Sequence, residues 1–379
     1  MKHKPNYYFL ITAALLVFFG ALFMATLSAS ESLQVFGTTN HYLFRQLSRI
    51  GIGIILAFIV YKIPLEFFRK ASFLLLILNI CLLVAVLTPH LGTEFLGAKR
   101  WVSVGNTSFQ PSEFLKVTAI LYLAAWLARR VNSEPKKDFL SWLKRSYHGF
   151  INVFVPFLVF LGLIMVMLYL QKDISTLGII GVTLIVVYFA SGTNLWHTLV
   201  TFFVGFASIA LFIIIEPYRV RRFTVFLHPE TDPLGIGHQM KQSLIAIGSG
   251  GIFGKGLGMS TQKFGFLPEA ISDSIFAIIG EEIGIIGGAI VVLLFLAFLW
   301  QGIKIANSAE NTFARLTAVG ISTWIVFQAF INISSNIGIF PLAGIPLPFF
   351  SYGGSHIIAE LIGVGILLNV SKHATQKHG

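Results

Sequence analysis

Long apolar blocks alternate with short polar segments along most of the chain. A helix of roughly 17 to 25 apolar residues spans a bilayer, and the sequence holds about ten windows of that kind. They fall near residues 8–29, 47–64, 71–89, 112–129, 150–170, 174–190, 194–215, 274–303, 314–334 and 353–371. The pattern predicts an all-α integral membrane protein with about ten transmembrane helices in one domain, residues 1–379.

The longest polar interruption is the glycine-studded stretch from about 216 to 273, between the seventh and eighth windows. About 15 Lys and Arg residues lie in the short segments on the side of both termini, against about five in the opposite short loops. Cytoplasmic loops carry the excess of positive charge. The sequence therefore predicts two cytoplasmic termini and an outward-facing loop at 216–273.

Composition agrees with a membrane protein, because 11% of residues are charged and 55% are hydrophobic, with a mean hydropathy of +0.81. A soluble domain is about one quarter charged. The net charge of +11 is spread over both membrane sides and in part enforces orientation, so nucleic-acid binding is not predicted.

Six glycines between Gly248 and Gly258 suggest a nucleotide loop at first sight. A Walker A pattern would need Gly in place of Ser249 and Ser or Thr in place of Gly256. No nucleotide site is predicted. Backbone amides in this stretch could cradle a phosphate, or the glycines could serve loop folding alone, and both interpretations stay open.

Carboxylates at or near membrane depth are candidates for chemistry, because burying them is costly. Asp273 lies where the long loop becomes a helix, and Glu281 follows two turns later. Asp273 could act on a substrate or could cap the helix. Glu113 and Lys116 have the i, i+3 spacing of a helical ion pair, which fits a structural or a functional role.

The long loop also has a basic set that could attract a diphosphate headgroup or touch anionic lipid. Its members are Arg219, Arg221, Arg222, Lys241, Lys255 and Lys263. The last outward segment, around 330–355, carries no charge and contains three prolines, so it cannot be a regular helix. It could form a lid or groove wall, or a re-entrant packing segment.

Several ordered motifs resemble the SEDS family of bacterial cell-wall polymerases, the FtsW, RodA and SpoVE group, along nearly the whole chain. They are SAS at 28–30, GAKRWV at 97–102, QPSEFLK at 110–116, YRVRR at 218–222, DPLGIGHQMKQSLIAIGSGGIFGKGLG at 232–258, QKFGFLPEAISDSIFAIIGEE at 262–282 and GIPLPFFSYGGS at 344–355. The QK before LPEA and the IFAIIGEE after it favour the FtsW branch, whereas GIPLPF favours RodA, so the FtsW-like branch is the expected one.

The resemblance implies a glycosyltransferase that joins lipid II, an undecaprenyl-diphosphate-linked disaccharide-pentapeptide, into β-1,4-linked peptidoglycan at the outer membrane face, for division or elongation. Asp273 matches the family's essential aspartate and is the expected base. Arg219, Lys241, Lys255 and Lys263 are the expected diphosphate contacts, with or without a divalent cation such as Mg²⁺ or Mn²⁺. Glu113, Lys116 and Glu281 are expected to support the site.

The resemblance also implies partners: a class B penicillin-binding protein and other membrane proteins of the division or elongation machinery. Two other functions stay open, a lipid II flippase or transporter and a noncatalytic division scaffold. The absence of a detectable inverted repeat and the position of the polar motifs in a loop argue against a transporter. A scaffold predicts that Asp273 is dispensable.

Some positions depart from the family pattern. Ile271 stands where His is usual, and Lys172 and Ser175 stand in place of Pro and Gly in QPDLGT. His356 and Glu360 replace the usual Ser and Asn. At i, i+4 on one helix, we expect these two side chains to pair with each other.

Overall fold

The computed structural model describes residues 5–88, 92–95, 98–104, 107–130, 150–193, 196–197, 199–205, 207 and 217–372. The helices in chain order are α1 Tyr7–Phe36, α2 His41–Lys62, α3 Leu65–Leu87, α4 Pro111–Arg130, α5 Val155–Leu170, α6 Ile174–Ala190, α7 Pro217–Leu227, α8 Ile236–Gly250, α9 Ile275–Asn307, α10 Thr312–Asn336 and α11 Ser355–Lys372. A π turn at Phe150–Phe154 leads into α5, and short 3₁₀ turns lie at Pro229–Thr231 and Gln262–Phe264.

The predicted spans correspond well to these helices. Seven stretches in the described part of the chain are long and apolar enough to cross a membrane: α1, α2, α3, α5 with its preceding turn, α9, α10 and α11. The predicted fourth span is α4, whose interior carries Glu113 and Lys116, and the sixth is the shorter apolar helix α6. Most of the predicted seventh span, 194–215, lies outside the described residues.

A small sheet between α3 and α4 departs from the all-α expectation. Strands β1 Gly92–Phe95, β2 Ala98–Val104 and β3 Thr107–Phe109 form an antiparallel meander in the order β1-β2-β3. Gly92 pairs with Val102, and Val102 pairs with Phe109 on the other side. Hydropathy windows missed the sheet because strands of three to seven residues are too short to register beside spans of twenty.

Helices α10 and α11 form the centre of the bundle. Their apolar windows are 61% and 78% buried, whereas that of α2 is 17% buried and faces outward. Helix α10 packs against α9, α6 and α4, and α11 packs against α2. The polar side chains of α10 and α11 therefore point into protein, where each needs a hydrogen-bond partner.

The long loop is largely ordered structure. Helix α7 carries the YRVRR motif, and α8 packs along α9. Asp232, four residues before α8, accepts the amide of the first helical residue, Ile236, at 3.1 Å, and it pairs with Arg221 at 3.1 Å. A turn over 265–274 then enters α9. After α10 the chain runs through a nonhelical segment, residues 337–354, called here the proline loop.

Candidate functional site

Asp273 lies immediately before α9 and does not cap that helix. The cap position is Ser274, whose side chain makes no capping hydrogen bond. The Asp273 carboxylate accepts a hydrogen bond from the Ser272 hydroxyl at 3.2 Å. The capping interpretation left open by the sequence is therefore removed, and another reason is needed for a partly buried acid at this position.

The backbone at Asp273 is held by the polar face of α10. Asn332 and Asn336 donate to the Asp273 carbonyl at 2.8 and 2.9 Å. Asn332 also donates to the Ile345 carbonyl of the proline loop at 2.8 Å. The side chain of Gln239 on α8 donates to the Ser274 hydroxyl at 2.9 Å. Helix α10 thus fixes the main chain at Asp273 and α8 holds the side chain of the next residue, while the Asp273 carboxylate stays outside their hydrogen bonding.

The proline loop covers the turn that carries Asp273. Tyr352 donates its amide to the Ile271 carbonyl at 2.8 Å, and the Ser351 hydroxyl donates to the Ser272 carbonyl. Gly344 adopts φ +63°, and a Cβ there would stand 3.7 Å from Asp273 Oδ2. Glycine is the residue that takes this backbone without strain and leaves the space beside the carboxylate open.

Arg222 is the basic residue that the fold brings to Asp273. The same Cβ position on Gly344 would lie 3.9 Å from Arg222 Nη1 and Nη2, and Nη1 donates to the Leu342 carbonyl at 3.0 Å. The sequence placed Arg222 in the basic set but gave no ground for choosing it. Its neighbour Arg221 turns instead to Asp232, a pairing that only the fold of the α7–α8 connection decides.

The electrostatic surroundings raise the pKa of Asp273 to about 6. Desolvation is the largest cause, and the negative charge of Glu269 adds to it. Hydrogen bonds from its own amide and from Ser272, together with the charge of Arg222, act in the opposite direction. A carboxyl with this pKa is ionised at neutral pH and yet basic enough to accept a proton.

The four predicted diphosphate contacts lie in different surroundings. The side chain of Arg219 is outside the described residues. Lys241 is exposed on α8 and makes no ion pair or hydrogen bond within the described parts of the chain. Lys255 is partly exposed and binds Glu281. Lys263 is buried, and its ammonium contacts Glu282 at 3.3 Å and the carbonyl of Gly258.

Lys263 therefore belongs to the internal packing of the loop. The Glu282 carboxylate also accepts from the Thr26 hydroxyl of α1 at 3.4 Å, and the Ser30 hydroxyl donates to the Lys263 carbonyl at 3.2 Å. These contacts join the SAS segment of α1 to the loop. Because the Lys263 side chain is only 6% exposed, we do not place Lys263 among the headgroup contacts.

Glu281 organises the segment that follows the glycine-rich stretch. Its buried carboxylate accepts five hydrogen bonds from that segment. The donors are the Lys255 ammonium at 2.7 Å, the hydroxyls of Ser260 and Thr261, and the amides of Thr261 and Gln262. Every donor comes from residues 255–262, so this one side chain holds the loop against α9.

Helix α9 is broken at Gly284, which has φ +67° and ψ −169°. Four hydrogen bonds from the loop bridge the break. The amides of Lys255 and Gly256 donate to the carbonyls of Glu281 and Glu282, and the amides of Ile285 and Ile286 donate to the carbonyls of Gly251 and Ile252. The loop thus satisfies groups that a continuous helix would pair internally.

Two glycines of the glycine-rich stretch serve this close packing. A Cβ on Gly250 would lie 2.1 Å from the Gly280 carbonyl, and one on Gly254 would lie 2.3 Å from the Glu282 carbonyl. No side chain fits at either position. Of the two interpretations that the sequence left open, loop folding accounts for these two glycines.

Glu113 and Lys116 form the ion pair that their spacing predicts, at 2.8 Å and almost fully buried. Lys116 also donates to Gln328 Oε1 on α10 at 2.8 Å, and Gln328 donates to the Pro346 carbonyl at 3.1 Å. The pair is therefore one side chain away from the proline loop. Its place in the fold is beneath the segment that covers Asp273.

The positions that depart from the family pattern have local explanations, and one expectation is wrong. Ile271 packs in the core. Lys172 adopts φ +57°, which proline cannot take. His356 and Glu360 do not bind each other: His356 contacts the Ser351 carbonyl at 3.1 Å, and Glu360 accepts the Phe349 amide at 2.9 Å. Both side chains bind backbone groups of the proline loop instead of each other.

Metal binding has limited support in the described residues, which contain no group of three or more His, Cys, Asp or Glu side chains placed to hold an ion. Two carboxylates do lie close together, because the Ser272 hydroxyl contacts Glu269 at 2.6 Å and Asp273 at 3.2 Å. Mg²⁺ usually takes one or two carboxylates plus substrate phosphates. The residues fit an ion that arrives with a phosphorylated substrate.

Fold and site together define a multispan membrane protein with a desolvated carboxylate held at the start of a broken helix. The chain belongs to the family of cell cycle proteins that comprises FtsW, RodA and SpoVE, whose model matches residues 6–376. It is an integral membrane protein.

Relatives with high coverage support this assignment. The chain is 39% identical to stage V sporulation protein E of Bacillus subtilis over 373 residues, covering 98% of each. It is 38% identical to a probable peptidoglycan glycosyltransferase FtsW of Hydrogenovibrio crunogenus, covering 98% of this chain and 93% of the relative. These relatives agree with the FtsW-like branch favoured by the sequence.

Solved structures share the fold. A chain of a peptidoglycan synthase complex, studied for its coordination of polymerization and crosslinking, superposes with a TM-score of 0.75 at 24% identity, covering 98% of this chain and 99% of that one. The rod shape determining protein RodA of Thermus thermophilus gives 0.69 at 23% identity, with 98% of each chain covered.

Proposed function

We propose that the chain is a peptidoglycan glycosyltransferase that polymerises lipid II into β-1,4-linked glycan on the outer face of the bacterial cytoplasmic membrane, with both termini in the cytoplasm. The observation that carries the proposal is the state of Asp273: its backbone is fixed by α10, while its carboxylate has a pKa of about 6 and caps no helix. Several relatives named as probable peptidoglycan glycosyltransferases support the same reaction.

The chemistry needs one positioned base. Asp273 accepts the proton of the acceptor sugar hydroxyl as that oxygen attacks the anomeric carbon of the donor. The bond from the anomeric carbon to the diphosphate breaks in the same displacement, the diphosphate leaves with the electron pair, and the α linkage becomes β. General base catalysis of this kind contributes about 10²–10⁴ in rate, and a pKa of about 6 suits a base that works near neutrality.

The leaving diphosphate needs positive charge nearby. Arg222 lies beside Gly344 and Asp273, and we assign it the nearest headgroup contact. Lys241, exposed on α8, is assigned an outer contact, and Arg219 on α7 is kept as a proposed contact from the sequence alone. Lys255 is already paired with Glu281 and is assigned a lesser part at the headgroup. A divalent cation, where used, would be held by Asp273 and Glu269 and would supply further charge to the diphosphate.

Partner and process follow from the same reaction. A strand polymerase needs a crosslinking enzyme beside it, and we propose a class B penicillin-binding protein in that place, with further membrane proteins of the division or elongation machinery around the pair. The similarity to a chain of a peptidoglycan synthase complex supports this arrangement. The FtsW relatives, together with the match to the cell cycle protein family, favour a role in division over elongation.

A flippase is the second candidate, because α9 is broken near two buried carboxylates, as membrane helices are at transport sites. The break differs from such a site in that loop amides and carbonyls fill it. Glu281 and Glu282 are likewise occupied by Lys255 and Lys263. The polymerase therefore fits the geometry better.

The test is lipid II polymerisation by the purified chain with a class B penicillin-binding protein. Asp273→Asn keeps the size of the side chain and removes the base, so we expect a rate loss of at least about 100-fold with an unchanged melting temperature. The matched control is Asp232→Asn in the same loop, where the residue accepts the amide of Ile236 at the start of α8, and its rate should stay near wild type.

Equal polymerisation by wild type and Asp273→Asn would refute the assignment of the base. No polymerisation by wild type, together with transfer of lipid II across proteoliposome membranes, would refute the polymerase in favour of the flippase.

A further inference from the structure

Two buried side chains of α11 reach the proline loop from below. His356 is 6% exposed and Glu360 is fully buried, one helical turn apart. Glu360 Oε2 accepts the amide of Phe349 at 2.9 Å, and His356 Nε2 lies 3.1 Å from the Ser351 carbonyl. Because a carbonyl can only accept, His356 carries a proton on Nε2 and donates it.

The loop that they hold is under backbone strain. Phe349 has φ +67°, a conformation that a residue with a bulky side chain adopts only when its surroundings impose it. Glu360 holds the Phe349 amide on one side. On the other, the Phe349 carbonyl packs on α1 at Gly20, where a Cβ would lie 2.0 Å from it.

The strained segment is in direct contact with the turn that carries Asp273. Ser351 and Tyr352 bind the carbonyls of Ser272 and Ile271. Ser351 and Tyr352 follow Phe349 by two and three positions in the chain. A shift of Phe349 therefore also moves the backbone that contacts the turn of Asp273. A displacement of about 1 Å at a reacting group can cost about 100-fold in rate, so these supports bear directly on catalysis.

We infer that Glu360 and His356 are positioning residues for Asp273, acting through the strained Phe349–Ser351 segment of the proline loop. This inference rests on the proposed function, and it deepens it. Both residues depart from the family pattern given above, so the support is a feature of this chain. Glu360 uses one oxygen, since its Oε1 is buried without a hydrogen-bond partner in the described residues.

The hydrogen bond from the Phe349 amide to Glu360 determines which variants test the inference. Glu360→Gln keeps an acceptor oxygen for the Phe349 amide, whereas Glu360→Leu removes it and leaves a buried donor unpaired. Asn369→Leu is the matched control. Asn369 is 1% exposed on the same helix. It donates to the carbonyls of Val60 and Ile63 at the C-terminal end of α2. Within the described residues, the Asn369 side chain makes no hydrogen bond to the proline loop.

The experiment measures kcat and KM for lipid II polymerisation by the full chain with its penicillin-binding partner, and hydrogen exchange of the amides in 271–274 and 347–352. We expect Glu360→Leu to lower kcat by about 10- to 100-fold with KM unchanged, and to speed exchange in both segments. Glu360→Gln should restore kcat and protection. Asn369→Leu should lower the melting temperature while leaving kcat and both segments as in wild type.

Wild-type kcat in Glu360→Leu, or an equal loss in Glu360→Gln, would overturn the inference. An equal kcat loss in Asn369→Leu would overturn it too, because general destabilisation would then suffice. Should Glu360→Leu not fold, His356→Ala removes the other support and is subject to the same criteria. If wild type does not polymerise lipid II, the proposed function fails, while exchange in 271–274 still decides whether Glu360 positions that turn.

Discussion

Asp273 and Glu281 lie eight residues apart at the start of α9, yet their surroundings are opposite. The Asp273 carboxylate accepts one side-chain hydrogen bond, from Ser272, and its backbone carbonyl takes the two amide groups of α10. The Glu281 carboxylate accepts five hydrogen bonds, one of them from the Lys255 ammonium. At Asp273 the hydrogen bonds from α10 hold the backbone carbonyl, whereas at Glu281 the hydrogen bonds from the loop hold the side-chain carboxylate.

This difference separates an acid available to a substrate from one that holds the fold. A carboxylate whose oxygens are saturated by protein donors has little left for a ligand. One whose backbone is fixed and whose oxygens accept a single side-chain hydrogen bond is positioned and still able to bind a ligand, as a base must be. Burial alone does not separate the two, since Glu281 is the more buried.

The prediction with the largest expected effect concerns the different contributions of Glu281 and Asp273 to stability. Glu281→Leu strands Lys255 and the hydroxyls and amides of 260–262, so we expect the unfolding free energy to fall by about 3 kcal/mol or more. Asp273→Leu removes only one side-chain hydrogen bond, the one that the carboxylate accepts from the Ser272 hydroxyl. It should change the unfolding free energy by less than about 1 kcal/mol. Thermal unfolding in detergent compares the two. A larger loss for Asp273→Leu would contradict the division of roles.

The space beside Asp273 gives a second, smaller test. Gly344→Ala puts a methyl group 3.7 Å from Asp273 Oδ2, where the acceptor sugar must enter, and forces alanine to adopt φ +63°. Gly37→Ala is the matched control, because Gly37 ends α1 at φ +70° with nothing within 4 Å of the new methyl. The backbone cost, about 1–2 kcal/mol, is thus shared by both variants.

We expect Gly344→Ala to lower kcat/KM for polymerisation by about tenfold beyond any effect of Gly37→Ala, which corresponds to about 1.4 kcal/mol of transition-state stabilisation. Equal activity in the two variants would mean that the space beside Gly344 is not used by the substrate.

Much of this site could be predicted from the sequence where the evidence is local. Apolar length gave the spans, and i, i+3 spacing gave the Glu113–Lys116 pair, because both depend on the geometry of one helix. Asp273 could be located at a loop–helix junction for the same reason. Its resemblance to the family aspartate then distinguished it from an ordinary cap.

Contacts between distant segments could not be predicted. Arg219 and Arg222 are equivalent in a list of basic residues, and only the path of α7 brings Arg222 to Gly344. His356 and Glu360 satisfied the spacing rule for a pair, but the strained proline loop offered each a nearer backbone partner. The sequence predicted Lys263 as a headgroup contact, whereas the fold of α9 places Glu282 beside its ammonium.

The finest test concerns pH, because the two neighbours of Asp273 act on its pKa in opposite directions. The base works ionised, so polymerisation should fall about tenfold per pH unit below the pKa of about 6. The charge of Arg222 lowers this pKa and that of Glu269 raises it. Arg222→Gln should therefore move the acidic limb of the rate profile to higher pH, and Glu269→Gln should move it to lower pH.

Asp232→Asn serves as the control for these profiles, since its partner is Arg221, and its acidic limb should coincide with that of wild type. Because Arg222 is also the proposed diphosphate contact, its variant should lower the plateau rate as well, whereas Glu269→Gln should shift the limb with a smaller change in the plateau. If both variants leave the limb in place, the group titrating near pH 6 is not Asp273, and the unsaturated carboxylate at the start of α9 is not the base.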